Sequence, residues 1–428
     1  MGKQNVLYFT SYPLDSDNGG GMAAINDIFQ LSQIEEINLY VVVACEENNQ
    51  LNKTRMQLEK LNKMQLEKLK VKYYLTTQLG TPIKQENSLK KVVDKIYYKY
   101  NKVVYKIRSC FSYWHEAEIL CYNYKQLEHV SRYLTDLCDK LSIQVVIVEQ
   151  LYSILWFKDF PKLKQKKIYL AFDKEAEVFR ALSLAGHDSS KLYKFRIFIS
   201  SLRLRNFEKK VSELSDKCIF MSKADVPSYL LANEKVLVNS QVLPPKLFGW
   251  HYTNSETVLF AGNIDYYPNF LAVQWLICEL SPRLLRLNDK IKIVITGTDY
   301  HNLPRSWTIE SNVHIPGFIP KKQLEDLFQT SDIFICPIDN DWSVKMKLVE
   351  CVSYGMPFFA TEPCLKALPY LSGLPILDLN SPDEAAAYIC DTLSRKEVLE
   401  QLNYQILEDA SNFAKTRKDW WTKTILEA

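Results

Sequence analysis

Short runs that are apolar at nearly every position recur along this chain, and most lead into a stretch of helical periodicity. "NVLYFT" comes first, "INLYVVVACE" second, and "IQVVIVEQ" and "KKIYLAFD" follow. A second set comprises "TVLFAGN", "IKIVITGT", "NVHIPGFI", "DIFICPI" and "MPFFAT". Unbroken apolar runs belong to strands covered on both faces. Strands of that kind alternating with helices build parallel sheets with helices on each side. The periodicity lapses around 233–256, where a double proline and a polar tail mark a linker. A chain of 428 residues also exceeds one ordinary core. Two doubly wound domains are therefore expected, over 1–245 and 246–405, with a helical insertion at about 49–140 and a helix at 406–428. Trp420 and Trp421 on that last helix must bury against something.

Composition excludes several classes. Apolar residues at 47% and charged residues at 24% are the values of a soluble globular protein. A net charge of +3 leaves no overall nucleic-acid signature. The ten cysteines are scattered, several inside strand-like runs, and none pairs at metal-ligand spacing. They read as reduced thiols, hence a cytoplasmic setting. The start enters a strand without a leader pattern, and no apolar stretch reaches the roughly 18 residues of a membrane span. Any membrane role is then peripheral, on the inner face.

One segment bears on that role. Residues 84–108 carry eight Lys/Arg against Glu86 and Asp94, with apolar residues at helical spacing and four tyrosines between them. This suits an anionic membrane surface. It equally suits a helix with its stripe in the core and its lysines in water. A near-duplication, "MQLEKLNK" then "MQLEKLK", reads as an exposed helix with charge pairs.

Four stretches carry chemistry. Gly19, Gly20 and Gly21 follow the first strand and precede a helix, where backbone amides approach phosphate closely. Their spacing is not that of a dinucleotide site, and a flexible turn is the plainer reading. In "FAGNIDYYPN", Asn263 either bonds a ligand or caps its turn. In "HIPGFIP", the amides around Gly317 would read a nucleobase edge while Phe318 or Ile319 packs the ring; a strand-end turn is the alternative. In "SVKMKLVECVSYGMPFFAT", Lys347 and Glu350 share one helix face. Lys345, Lys347 and the helix-terminal amides would neutralise a diphosphate, and Glu350 would accept from ribose hydroxyls. A surface ion pair is the rival, weakened because buried strands flank the helix.

Together these stretches resemble the retaining glycosyltransferases of family 4. The second half carries the likeness, in "VLFAGNIDYYPNFLAVQWL", "VHIPGFIPKKQLEDLFQTSDIFICPI" and "SVKMKLVECVSYGMPFFAT"; "NGGG" and "RLRNFEKKVSELSDKCIFMSKADV" match more loosely. The resemblance implies an α/β GT-B fold, two Rossmann-like domains facing a cleft, with 406–428 crossing back to the first. It implies retaining, metal-independent transfer of a sugar from a nucleotide-diphospho-sugar to a glycan or lipid-linked acceptor, without a cofactor. Such transfer serves cell-surface polysaccharide or glycoconjugate synthesis. Lys347 then contacts the diphosphate, with Lys345 as a second phosphate ligand. Glu350 contacts the donor ribose, and Gly19–Gly21 lie under the phosphates. The catalytic set is Lys347, Glu350 and Asp173.

The chain departs from the family in three places. Trp342 stands where many members have a sugar-contacting Glu, with Asp339 and Asp341 nearby. Asn263 stands where a basic residue is common. Asp173 and Glu175 follow the strand that often ends in His, and are the acceptor-side candidates unless they only cap a helix. A catalytically inactive glycosyltransferase-like subunit, binding a partner enzyme or acceptor, is the alternative function.

Overall fold

A computed structural model describes residues 2–15, 19–45, 52–59, 70–71, 74–75, 124–184, 191–298, 301 and 303–427. The basic segment 84–108, most of the expected insertion and the second copy of the duplication lie outside the described residues. The chain divides into two compact units. One comprises Met1–Phe220, Val226–Val238 and Trp420–Ala428; the other comprises Met221–Asp225 and Asn239–Asp419.

The first unit is built on eight strands: β1 (Gln4–Thr10), β2 (Ile37–Cys45), β3 (Lys70–Val71), β4 (Tyr74–Leu75), β5 (Val145–Glu149), β6 (Lys166–Ala171), β7 (Lys217–Phe220) and β8 (Val236–Val238). Their order is β3-β2-β1-β5-β6-β7-β8, with β4 also on β2, and every pairing is parallel. The chain reverses direction across the sheet between β1 and β5, which end at Thr10 and Glu149.

The unbroken apolar strands have their reason here. Leu7, Phe9, Val146 and Val148 face one core, while Val6, Tyr8, Val145 and Ile147 face another, so both faces are covered. Ala24, Ile28 and Leu31 of the helix Gly19–Ser32 pack in the second core. So do Trp421 and Ile425, from the end of the long helix Lys396–Leu426. Each of Ile28, Leu31 and Ile425 contributes about 1.5–3 kcal/mol by leaving water.

The stretch read as a linker contains β8. "VLV" gains strand status only by pairing Cys218 with Val236 and Phe220 with Val238 at the sheet edge. Three residues are too few to show a period, so sequence alone gave no sign of it.

The second unit repeats the plan with β9 (Thr257–Ala261), β10 (Lys292–Thr296), β11 (Val313–Gly317), β12 (Ile333–Cys336) and β13 (Phe358–Ala360). The order is β11-β10-β9-β12-β13, all parallel, with the reversal between β9 and β12. Open sheets of this kind bind ligands outside the carboxyl ends of the strands at such a reversal. Among the described residues, no helix is long and apolar enough to cross a membrane, and Cys138, Cys218, Cys278, Cys336, Cys351, Cys364 and Cys390 are free thiols.

Candidate functional site

The helix Met346–Tyr354 connects β12 to β13 and is buried along most of its length. It ends at Gly355, whose φ of 68° is the left-handed cap that glycine supplies without strain. Near its start, Lys347 Nζ lies 2.9 Å from Glu350 Oε2. Glu350 is only 5% exposed, so its carboxylate has given up water for this cation. The same ammonium stands 5.9 Å above the Phe328 ring, which stacks on Tyr354. The lysine therefore lies along an aromatic wall, and its side chain remains one-third exposed.

The loop before this helix is pinned from within the unit. Ser343 has φ 55°, a region non-glycine residues seldom enter. Its N–H donates to Asp225 Oδ1 at 2.8 Å, and Asp225 is fully buried. Ser222 Oγ donates to the other carboxylate oxygen at 2.7 Å. Lys345 is the N-cap residue, but its ammonium turns back on the loop, donating to Asn340 Oδ1 at 2.8 Å and to the Trp342 carbonyl. Asp339 and Asp341 are exposed. A cavity of about 310 Å³ opens beside this loop, lined by Pro268, Leu271, Trp275, Pro337, Asp339 and Asn340.

Glycines knit the neighbouring strand ends. Gly297, at φ 85°, packs against the Gly262 carbonyl, where a Cβ would lie 3.0 Å away. The Gly297 N–H and Thr296 Oγ1 both donate to the Gly317 carbonyl, at 2.9 and 3.0 Å. Gly317 itself has φ 73°. Phe318 beyond it is 84% exposed, and Ile319 is half-buried. Asn263 shapes its own turn. Its Oδ1 accepts the Asp265 N–H at 3.2 Å, and its carbonyl accepts from Asn269 Nδ2 at 3.0 Å.

The remaining candidates belong to the first unit. Gly19, Gly20 and Gly21 are not a loop ahead of a helix; they are its first turn. The reason is close packing. A Cβ on Gly21 would meet the Asp15 carbonyl oxygen at 2.3 Å, and one on Gly20 would meet the Tyr12 ring at 2.9 Å. Beyond β6, Asp173 is half-buried, and Glu175 opens the helix Glu175–Leu184.

The Glu175 N–H donates to the carboxylate of Glu208, which also accepts from Tyr229 OH at 2.8 Å. Burial pushes Glu208 up to about 7, against those hydrogen bonds, with Glu177 and Asp173 adding to the rise. At the end of β5, burial pushes Glu149 up to about 8. The Thr10 and Tyr8 hydroxyls oppose that rise, and Asp27 adds to it. Sequence reading missed Asp225, Glu208 and Glu149. Ser222 with Asp225 three residues on carries only a local capping pattern, which says nothing of a partner in the loop at 343. Among the described residues, no group of His, Cys, Asp and Glu could hold a metal ion.

Two doubly wound parallel sheets, a cation–carboxylate pair beyond the reversal of the second, and a terminal helix whose end joins the first unit define a GT-B glycosyltransferase-type fold. Residues 255–395 match the family described as Glycosyl transferases group 1, the same half of the chain that carries the likeness in the sequence.

Solved structures share the fold across the chain. TarM covers 97% of each chain at 10% identity with a TM-score of 0.63. HepE of Anabaena, in complex with UDP and glucose, covers 98% of each at 11% identity with a TM-score of 0.62. A glycosyltransferase from Rickettsia africae covers 99% of each at 10% identity with a TM-score of 0.56. No curated protein matches the chain by sequence.

Proposed function

We propose that the chain is a retaining, metal-independent glycosyltransferase. It would move a sugar from a nucleotide-diphospho-sugar to a glycan or lipid-linked acceptor of cell-surface polysaccharide or glycoconjugate synthesis. The observation that carries this reading is the Lys347–Glu350 pair, with its carboxylate buried and its lysine side chain one-third exposed. A surface pair gains about 0–1 kcal/mol and leaves both partners solvated. Burying the carboxylate costs more than that, and the fold alone has no need of it.

In the reaction, the bond from the anomeric carbon to the β-phosphate oxygen breaks, and negative charge grows on the leaving diphosphate. Lys347 and the first amides of the helix Met346–Tyr354 take up that charge. The acceptor hydroxyl attacks the anomeric carbon on the same face, and its proton passes to the departing phosphate. The products are the glycoside and the nucleoside diphosphate. Glu350 accepts from the ribose hydroxyls. Lys345 joins them only by leaving Asn340 and Trp342; otherwise it holds the loop. Asn263 and the turn Gly317–Ile319 serve the nucleotide, and Gly19–Gly21 the phosphates. Asp173 and Glu175 face the acceptor.

HepE crystallised with UDP and glucose, and a mutant of S. aureus TarM with Fondaparinux, alpha-GlcNAc-glycerol and UDP. UDP-sugars are therefore the first donors to try. The reading keeps the protein on the cytoplasmic face of the membrane, with 84–108 on its anionic surface.

An inactive binding subunit is the second reading, favoured by Trp342 in place of a sugar-contacting Glu. A panel of UDP-, GDP-, CMP- and dTDP-sugars separates the two by thermal shift and donor hydrolysis, wild type beside Glu350→Ala. One donor that raises Tm and is slowly hydrolysed, both effects being lost in Glu350→Ala, supports the transferase. A rise in Tm without turnover, with or without cell-extract acceptors, supports the inactive subunit. No response to any nucleotide overturns both the pair's role and the reading.

A further inference from the structure

We propose that the helix Lys191–Leu214 docks the first unit onto an anionic lipid surface through Phe195, Phe198 and Leu202. One face of this helix is buried through Ile197, Ser201, Leu204, Glu208 and Val211. The opposite face exposes Phe195 at 60%, Phe198 at 41% and Leu202 at 38%. Spacings of three and four residues align them in one stripe about 10 Å long. Single exposed apolar residues are ordinary, but three large ones in a row are not.

Charge decides the occupant. Lys191 and Lys194 precede the stripe, and Arg205, Lys209 and Lys210 follow it, all exposed. From the neighbouring helix Glu175–Leu184, Arg180 lies 5.5 Å over the Phe198 ring. No Asp or Glu occurs between residues 191 and 207. Two exposed acids of this helix pair stand with cations of their own: Glu213 is 3.9 Å from Lys209, and Glu177 is 3.7 Å from Lys174. Apolar tips ringed by cations fit the headgroup boundary of an anionic bilayer. A second copy of this face would set like charges against each other.

The helix also carries Glu208, which holds the Glu175 N–H, so the acceptor-side candidate Glu175 and the stripe share one helix pair. On the transferase reading, a lipid-linked acceptor would be met at its membrane. The docking itself does not depend on that reading.

The test is sedimentation of the full chain with phosphatidylcholine vesicles, and with vesicles containing about 40% phosphatidylglycerol. The wild type should bind the anionic vesicles, bind the neutral ones far less, and release as salt rises. The variant Phe195→Ser/Phe198→Ser/Leu202→Ser should lose at least about tenfold in affinity. It keeps residues 84–108, so that loss belongs to the stripe. The more conservative Phe198→Trp keeps the apolar face, and its added fluorescence should shift to the blue on anionic vesicles.

Any of four results overturns the proposal: no binding by the wild type, equal binding to both vesicles, undiminished binding by the triple variant, or no blue shift. A lipid-free dimer that the triple variant abolishes would assign the stripe to a second copy and also overturn it. Donor binding is measured without lipid, so failure of the transferase reading shows separately.

Discussion

The Ser343 N–H donates to Asp225 Oδ1 at 2.8 Å, joining residues 118 positions apart. The bond fixes the loop that delivers Lys345, Lys347 and Glu350, at a residue whose φ of 55° would otherwise relax. Such strain costs of the order of 1–3 kcal/mol and persists only where the surroundings impose it.

Asp225→Ala is therefore expected to weaken donor binding about 10- to 100-fold, because a buried charge-assisted hydrogen bond is worth about 1.5–3 kcal/mol. Asp225→Asn retains an acceptor for Ser343 and should lose less. Calorimetric titration with the stabilising nucleotide measures both. Unchanged affinity in Asp225→Ala would mean that the loop is set elsewhere.

A second prediction concerns the pair itself. Lys347→Met leaves the buried Glu350 without its cation and should cost about 3–5 kcal/mol. Glu350→Gln leaves only Lys347, which is one-third exposed, and should cost less. Adding Glu350→Gln to Lys347→Met should restore part of the stability, since the stranded charge is gone. All three variants should fail to bind donor. Urea unfolding gives the stabilities; full recovery of donor binding in the double variant would remove both residues from the site.

These contrasts mark what a linear sequence shows. Val6 to Phe9 are apolar at every position because both faces are covered, so the parallel sheets were legible. Lys347 and Glu350 were legible because three residues on a helix make neighbours. Asp225 was not, because nothing local relates it to Ser343. Glu208 sits in "RLRNFEKKVSEL", which reads as a solvated charged face. Only Tyr229 and the Glu175 N–H, brought in by the fold, show it buried. Gly19–Gly21 read as a loop because glycine signals turns; the Asp15 backbone beside Gly21 has no signature in sequence.

A third prediction follows from Glu149. Burial raises its carboxyl from 4.5 to about 8. The folded state thus holds a proton that the unfolded chain releases near 4.5. The contribution of this group is complete below that pH and is lost as pH rises through about 8. The loss amounts to up to about 5 kcal/mol at 1.36 kcal/mol per unit. Glu149→Gln removes this dependence. Its Tm should equal or exceed that of the wild type at pH 8.5, with the gap narrowing toward pH 5. Parallel Tm curves over that range would place the shift elsewhere.

The last prediction separates two costs that glycine avoids. Gly355 has φ 68°, and an added Cβ would lie 2.5 Å from Asn403 Nδ2 and 2.8 Å from Leu407 Cγ. Asn403 Nδ2 also donates to the Gly355 carbonyl at 2.6 Å, so the amide cannot retreat without losing that bond. Gly373 has nearly the same backbone, φ 65°, with no atom within 4 Å of the added carbon. Gly373→Ala should therefore cost only the conformational part, about 1–2 kcal/mol. Gly355→Ala should cost that plus an overpacking term of about 1–3 kcal/mol. It should also weaken donor binding, because it distorts the end of the helix that carries Glu350. Equal losses in urea unfolding would mean that the helix Lys396–Leu426 yields freely around Asn403, and that only the left-handed backbone requires glycine at 355.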